Sequence, residues 1–312
     1  MEIILSIVGG LLLLFVGAEG LIRGSSNLAI KIGITPLVVG LTVVAFGTSA
    51  PELVVSLKAA LIGNSSITIG NVLGSNIANI ALILGVSAMI RPLNVNTNVI
   101  KREIPFMIIL SVLVLLLSLD GILGFVEGLI FILILISYTI LSIVFAKKEK
   151  NQEVEAEFKE GLKSKLNIPT SILFTICGLA ILILGANLLV QGAVTLAKLF
   201  KVSDVVIGLT IIAIGTSLPE LITSIVASYK NETDIAIGNV VGSNIFNLLS
   251  ILGITALILP INTKGVSIID WGVMLFCAII LLPLSKTGFK ITRTEGALLF
   301  TGYVIYIYSL LP

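Results

Sequence analysis

Apolar stretches separated by short polar segments run along most of the chain. Ten of them approach the ~20 residues that a helix needs to cross about 30 Å of hydrocarbon. They cover residues 3–22, 36–60, 67–90, 104–119, 124–146, 169–190, 204–228, 235–259, 267–284 and 295–311. The pattern therefore predicts an all-α polytopic membrane protein with ten transmembrane helices.

A polar segment over residues 147–168 divides these stretches into two groups of five. It is rich in lysine and glutamate and has no apolar core of its own, so its composition predicts a solvated linker and not a folded domain. We expect a five-span unit over residues 1–146, the charged linker over 147–168 and a second five-span unit over 169–312.

The two groups of five share repeated sequence. The stretch 47–52, GTSAPE, recurs at 215–220 as GTSLPE, and the stretch GNVLGSNIAN recurs as GNVVGSNIFN. Both recur at an offset of 168 residues, and the ungapped comparison of 40–85 with 208–253 gives about 25 identities in about 46 positions. Identity at that level indicates an internal duplication.

The odd number of spans in each copy predicts the topology. Two homologous units of five spans, joined by one loop, must enter the membrane from opposite faces. Inverted repeats of this kind are typical of secondary transporters, whose substrate site lies near the midplane where the repeats meet. We therefore expect two inverted-topology five-helix repeats around a shared site.

The distribution of basic residues predicts the orientation, because cytoplasmic loops carry an excess of lysine and arginine. One side of the predicted membrane holds Arg23, Lys31, Arg91, Lys101, Arg102, the six linker lysines, Lys230, Lys286, Lys290 and Arg293. The other side holds Lys58, Lys198, Lys201 and Lys264. The linker should be cytoplasmic and both termini extracellular, in a multi-pass protein of the plasma membrane.

Composition narrows the function classes. Charged residues make up 12% of the chain, against about 25% in soluble domains, and the mean hydropathy is +1.17. A net charge of +2 with dispersed basic residues does not indicate a nucleic-acid partner. The chain has no histidine, the commonest general base and transition-metal ligand, and its two cysteines lie in apolar runs. We expect neither an enzyme nor a prosthetic cofactor.

The first repeated motif places a carboxylate beside a proline within an apolar stretch, as Glu52 after Pro51 and Glu220 after Pro219. Ionisable groups at membrane depth are expensive and indicate function. Proline interrupts a helix and releases backbone carbonyls, which become candidate cation ligands. The carbonyls in question belong to Ala45, Phe46, Gly47, Thr48, Ala213, Ile214, Gly215 and Thr216.

The second motif supplies neutral oxygens at a spacing of four residues, which places them on one helical face. These residues are Asn71, Ser75 and Asn79 in the first copy and Asn239, Ser243 and Asn247 in the second. Carboxylates, amides, hydroxyls and carbonyls are the hard oxygen ligands that Ca²⁺ prefers. Two carboxylates balance the charge of one Ca²⁺ or of two Na⁺.

Purely structural interpretations remain open for part of this pattern. The prolines and the Gly70/Gly74 and Gly238/Gly242 pairs are also ordinary features of kinks and close helix packing in membranes. Asn71 and Asn239 are equally consistent with hydrogen bonds between helices and with direct ligation. The duplicated glutamates favour function more strongly because a buried carboxylate is costly.

At these residues the chain resembles the Ca²⁺/cation antiporter superfamily, in particular its sodium/calcium exchanger branch with a prokaryotic-type core. That branch carries G-T-S-x-P-E and G-N-x-x-G-S-N-I-x-[ND] in two inverted repeats. The resemblance implies that Glu52 and Glu220 chelate Ca²⁺ with the carbonyls of Thr48 and Thr216. It implies flanking Na⁺ sites built from the carbonyls of Ala45 and Ala213 with Ser49, Ser75, Ser217 and Ser243. Asn79 and Asn247 would border the middle of the site.

The function implied by the resemblance is antiport of Na⁺ against Ca²⁺ by alternating access. Its partners would be the two ions and the lipid bilayer, with a monomeric functional unit. A Ca²⁺/H⁺ exchanger or a K⁺-dependent Na⁺/Ca²⁺ exchanger is the alternative within this class, and a cation channel is a less favoured one. Several relatives, including K⁺-dependent ones, carry an acid at the last motif position of the second repeat. Here both Asn79 and Asn247 are neutral, which argues against K⁺ coupling.

Overall fold

The computed structural model describes residues 2–32, 34–63, 65–148, 166–199, 213–264 and 266–310. Helices dominate these residues, in agreement with the all-α prediction. Most of the predicted linker, and residues 204–212 of the predicted span 204–228, lie outside the described residues.

The helices of the first half follow the predicted apolar stretches. They are α1 (Glu2–Ile32), α2 (Pro36–Thr48), α3 (Ala50–Leu61), α4 (Ser65–Ile77, Ala78–Leu84 and Gly85–Ile90), α5 (Val99–Glu103 and Ile104–Leu117) and α6 (Phe125–Lys148). The segments Gly40–Val44, Ala78–Leu84 and Val99–Glu103 have wider, π-helical turns. Strand β1 (Leu93–Asn94) precedes α5, and β2 (Ile122–Leu123) follows it.

The second half has the same order. Its helices are α7 (Ile168–Leu199), α8 (Ala213–Thr216), α9 (Leu218–Tyr229), α10 (Thr233–Phe246, Asn247–Ile251 and Leu252–Ile258), α11 (Ile268–Lys286) and α12 (Arg293–Leu310). Asn247–Ile251 is π-helical. Strand β3 (Ile261–Asn262) precedes α11, and β4 (Lys290–Ile291) precedes α12.

Six of the described helices are long and apolar enough to cross a membrane: α1, α4, α6, α7, α10 and α11. The pair α2 and α3 forms a seventh such segment, bent by 41° between Thr48 and Ala50. The chain is thus a membrane protein with several apolar helices, while the total of ten spans stays a prediction.

Helices α4 and α10 are the most buried of the long helices, with 72% and 83% of their apolar windows buried against 22% for α1 and α6. These two helices carry the second repeated motif. Polar side chains avoid lipid and turn toward the interior of a bundle, so the motif directs both helices to the centre. Buried Val72 and Leu73 of α4 and Val240 and Val241 of α10 complete the core around them.

Helices α1 and α7 pack against each other with their backbones in close contact. A Cβ atom at Gly17 would lie 2.6 Å from the backbone nitrogen of Leu182, and one at Gly178 would lie 2.3 Å from that of Leu21. Gly10, by contrast, faces Gly185. Lower residue numbers on α1 meet higher ones on α7, so the two helices are antiparallel, and small residues allow this approach.

Two short antiparallel ribbons join the halves near the ends of the helices. β1 pairs with β4, with Leu93 opposite Ile291, and β2 pairs with β3, with Ile122 opposite Asn262. Each ribbon takes one strand from each half. β1 and β3 are 168 residues apart, as are β2 and β4, so exchanging the halves converts one ribbon into the other.

Candidate ion-binding centre

A single residue breaks the helix in front of each repeated glutamate. Ser49 (φ −80°, ψ 2°) separates α2 from α3, and Ser217 (φ −89°, ψ 9°) separates α8 from α9. These angles lie in the sparsely populated bridge region, where many active-site residues are found. The break leaves Glu52 and Glu220 in the first turn of α3 and α9, where the helix dipole favours a negative charge.

The two carboxylates are buried and bonded across the halves. Each is 1% exposed. The Ser217 hydroxyl donates to Oε1 of Glu52 at 2.9 Å, and the Ser49 hydroxyl donates to Oε1 of Glu220 at 3.0 Å. The structure therefore brings four of the predicted residues into one network, with each acid held by the half that does not contain it.

These serine–glutamate bonds between the halves take the place of a hydrogen-bonding pattern that is possible within each helix. Ser49 and Ser217 precede their glutamates by three residues, which is the capping-box pattern in which serine and glutamate bond each other's backbone N–H groups. Neither serine makes a side-chain capping bond to its own helix. The hydroxyls are used instead on the carboxylate of the opposite half.

Four buried oxygens at this centre accept no hydrogen bond from the protein. They are Oε2 of Glu52 and Glu220 and Oδ1 of Asn79 and Asn247. Lysines and arginines of the described residues form no ion pair with either carboxylate. A buried acceptor without a partner costs about 1–3 kcal/mol, and more when it is charged. Carboxylate and amide oxygens of this kind are the ligands that a hard cation prefers.

Asn71 and Asn239 act between helices. Asn71 Nδ2 donates to the Glu52 carbonyl at 3.2 Å and to Ser56 Oγ at 2.9 Å. Asn239 Nδ2 makes the equivalent bonds, to the Glu220 carbonyl at 3.3 Å and to a serine hydroxyl at 3.0 Å. The amides hold α3 against α4 and α9 against α10, and thereby position the two glutamates.

The remaining candidates of the first half surround the acids. Thr48 is fully buried, and its hydroxyl donates to Oδ1 of Asn239 at 3.1 Å. Ser75 lies 3.4 Å from the Ser217 hydroxyl. The expectation that Pro51 releases the Ala45 carbonyl was wrong: it accepts the Ser49 N–H at 3.0 Å, because the carbonyl opposed by a proline is that of the residue four positions earlier.

In the second half, Ser243 is fully buried and its hydroxyl lies 3.5 Å from the Ala45 carbonyl. Ala213 begins α8, and half-buried Thr216 ends it. Besides the Ser49 N–H, the Ala45 carbonyl thus accepts two longer bonds from hydroxyls, that of Ser243 and that of Thr48 at 3.4 Å.

Two asparagines at this centre were missed by the sequence reasoning. Asn79 Nδ2 donates to Oδ1 of Asn244 at 3.0 Å, and Asn247 Nδ2 donates to Oδ1 of Asn76 at 3.1 Å. Asn76 and Asn244 belong to the repeated G-S-N of the second motif, which was the available signal. Each lies one residue after the serine of the set spaced by four residues, so a prediction based on that spacing did not include it.

The packing around the carboxylates is tight. A void of about 10 Å³ lies beside Ser49, Leu53 and Ser250, which is room for about one water molecule. A cavity of about 460 Å³ lies elsewhere, between α2, α5 and α6, where Tyr138 donates to Oε2 of Glu103 at 2.7 Å.

Comparison with known proteins gives concordant results. The family described as sodium/calcium exchanger protein matches residues 2–144 and 170–311. The inner membrane protein YrbG of Escherichia coli is 37% identical over 96% of the chain and 94% of its own length. The sodium/calcium exchanger MaX1 of Methanosarcina acetivorans is 33% identical over 96% of the chain and 95% of its own length.

A solved structure is similar along the whole chain. It is that of the sodium-calcium exchanger NCX_Mj soaked with 2.5 mM Na⁺ and 0.1 mM Ca²⁺, with a TM-score of 0.87 and 31% sequence identity. The match covers 100% of this chain and 99% of that one. The fold is therefore shared over its full length, including both segments that contain the buried glutamates.

Proposed function

The chain belongs to the sodium/calcium exchanger protein family and exchanges Na⁺ for Ca²⁺ across a membrane, and we propose that Glu52 and Glu220 form the centre where the exchange occurs. One observation carries this assignment. Each buried carboxylate has one oxygen bonded by a serine of the opposite half and a second oxygen without a protein partner.

The charge of this centre accounts for antiport. Two carboxylates are neutralised by one Ca²⁺ or by two Na⁺, and an unneutralised pair in the hydrocarbon region is costly. Ca²⁺ and Na⁺ therefore compete for the same oxygens, and each empties the site of the other. The ligands that we assign to the ions are Ala45, Thr48, Ser49, Glu52, Ser75, Asn79, Ala213, Thr216, Ser217, Glu220, Ser243 and Asn247.

We further propose that the chain forms ten spans as two inverted repeats, over 1–146 and 169–312. Three observations support this topology. The family matches each half separately, the equivalent helices α1 and α7 are antiparallel, and the two ribbons convert into each other when the halves are exchanged. Inverted halves that exchange conformations would open one shared site to either face in turn.

The orientation follows the basic residues. We propose a cytoplasmic linker, extracellular termini and a location in the plasma membrane, with one chain as the functional unit because both halves of the centre come from the same chain. Labelling of single cysteines introduced at Glu2 and Leu310 with an impermeant maleimide tests the orientation. Labelling from the cytoplasmic side alone would contradict it.

Transport itself is tested with the purified chain in proteoliposomes. Loading with Na⁺ and dilution into Na⁺-free buffer containing ⁴⁵Ca²⁺ should drive Ca²⁺ uptake, and replacing internal Na⁺ with choline or K⁺ should abolish it. Uptake driven by a pH gradient without Na⁺ would indicate proton coupling. Downhill Ca²⁺ flux without any counter-ion would indicate a channel.

A further inference from the structure

The asparagines of α4 and α10 pair crosswise between the halves. Asn247 of α10 donates its Nδ2 to Asn76 of α4, and Asn79 of α4 donates its Nδ2 to Asn244 of α10, at 3.1 and 3.0 Å. All four side chains are at most 2% exposed. Although Asn76 and Asn79 are three residues apart on one helix, each makes its bond to the other half.

These bonds decide which way each amide is turned. An amide has a donor end and an acceptor end, so an Asn79 that gives Nδ2 to Asn244 must direct its Oδ1 elsewhere. The same holds for Asn247 and Asn76. The two oxygens that are turned away, Oδ1 of Asn79 and Oδ1 of Asn247, are the buried acceptors that lack a protein donor.

The accepting asparagines are themselves held in place. Nδ2 of Asn76 lies 3.4 Å from the Asn244 carbonyl, and Nδ2 of Asn244 lies 3.5 Å from the Met107 sulfur. Their donor ends are thus directed at the protein, which leaves their Oδ1 atoms to face Asn247 and Asn79. Asn79 is also one helical turn beyond Ser75, whose hydroxyl borders the carboxylate network.

We propose that Asn76 and Asn244 are positioning residues for ion binding, which fix the amides of Asn247 and Asn79 so that their oxygens are presented to the transported ions. The proposal rests on the proposed function, because it takes the Glu52 and Glu220 centre as the ion site. Neither Asn76 nor Asn244 needs to touch an ion for this role.

Asparagines between membrane helices often only join the helices, and the two roles predict different couplings. In the positioning role Asn76 acts through Asn247, so the two residues form one functional unit. Asn76 and Asn79 act through different oxygens and share only the contact with Asn244, so their coupling should be weaker than that of Asn76 with Asn247. A residue that merely joins α4 and α10 would couple no more strongly to Asn247 than to Asn79.

Double-mutant cycles on Na⁺-gradient-driven ⁴⁵Ca²⁺ uptake separate these roles. We expect Asn76→Ala and Asn247→Ala each to raise the Ca²⁺ KM on the order of tenfold, with a smaller change in maximal rate. The double variant should be no worse than the worse single one. Asn76→Ala with Asn79→Ala is the matched control, in which the combined effect should come closer to the product of the two single effects.

The mirror-image cycles, Asn244 with Asn79 and Asn244 with Asn247, should repeat the result. Multiplicative effects in the crosswise cycles, or equal coupling in both kinds of cycle, would overturn the proposal. Size-exclusion profiles and circular dichroism of Asn76→Ala and Asn244→Ala should match those of the unmodified protein, which guards against a folding defect. If one of these two variants does not fold, the cycle built on the other one decides.

Glu52→Gln, assayed in the same way, distinguishes failure of the proposed ion site from failure of the positioning role alone. If Glu52→Gln transports Ca²⁺ normally, the ion site itself is misplaced and the proposed function fails. If Glu52→Gln is inactive while the crosswise cycles are multiplicative, the ion site stands and the positioning role alone fails.

Discussion

The two halves of the molecule are alike at the centre and different at the periphery. The bond from Ser217 to Glu52 and the bond from Ser49 to Glu220 are 2.9 and 3.0 Å long, and the amide bonds of Asn71 recur at Asn239. Away from the acids the equivalence is incomplete: Glu103 of the first half corresponds to buried Trp271 of the second.

The ion pairs show the same contrast. Glu19 of α1 pairs with Arg23 and with Lys230, which follows α9. The residues at the equivalent positions are Asn187 and Ile62, which cannot form this pair. The candidate ion ligands are therefore duplicated, whereas this ion pair has no counterpart at the equivalent positions.

The largest expected effect tests whether the two acids are equivalent. Glu52→Gln and Glu220→Gln should each lower Na⁺-driven Ca²⁺ uptake at least about a hundredfold. Removing one member of a buried charge interaction costs about 3–5 kcal/mol, and each 1.4 kcal/mol is tenfold. Glutamine keeps the acceptor for the opposite serine, so size-exclusion profiles and circular dichroism should match the unmodified protein. Near-normal uptake by either variant would end the two-acid assignment.

The serine hydroxyls come next. Ser49→Ala and Ser217→Ala each remove a hydrogen bond to a charged group, worth about 1.5–3 kcal/mol. We expect the Ca²⁺ KM to rise about tenfold or more in each variant. The two effects should agree within about threefold because the bonds are equivalent. A tenfold disagreement would show that the centre is functionally asymmetric.

Alanine in place of a glycine between α1 and α7 should lower the stability of the protein. Gly17→Ala and its equivalent Gly185→Ala place a Cβ atom against the opposite backbone, and overpacking costs about 1–3 kcal/mol. Both variants should unfold at a lower temperature in detergent, as followed by tryptophan fluorescence. Gly272→Ala is the control, since its Cβ meets nothing within 4 Å. Unchanged unfolding of Gly17→Ala would contradict the packing described for these helices.

The smallest effect should come from the peripheral carboxylate. Glu19→Gln breaks a partly exposed ion pair, and such pairs contribute about 0.2–1 kcal/mol. Ca²⁺ uptake should change less than about fivefold. Asn187→Gln at the equivalent position serves as the size control. Loss of transport in Glu19→Gln comparable to that in Glu52→Gln would place Glu19 in the transport machinery.

Much of this architecture could be predicted from the sequence. The stretch predicted over 36–60 corresponds to α2 and α3, and the helix breaks at Ser49 and Ser217 follow from the prolines two residues later. The prediction that Pro51 frees the Ala45 carbonyl was wrong because hydrogen bonding at a helix break depends on local backbone angles, which composition does not specify. A fixed spacing of four residues likewise could not predict the π-helical turns that contain Asn79 and Asn247.

The duplication at a constant offset, the apolar stretches and the identity of the candidate oxygens follow from the order of residues alone, because helix length and the cost of burying charge depend on residue type. The hydrogen-bond donor that each oxygen receives does not follow from the order of residues. Ser49-x-x-Glu52 could have closed on itself as a capping box, and only the packing of the halves directs Ser49 to Glu220 and Ser217 to Glu52. A buried carboxylate takes the nearest donor in space, and folding decides which donor that is.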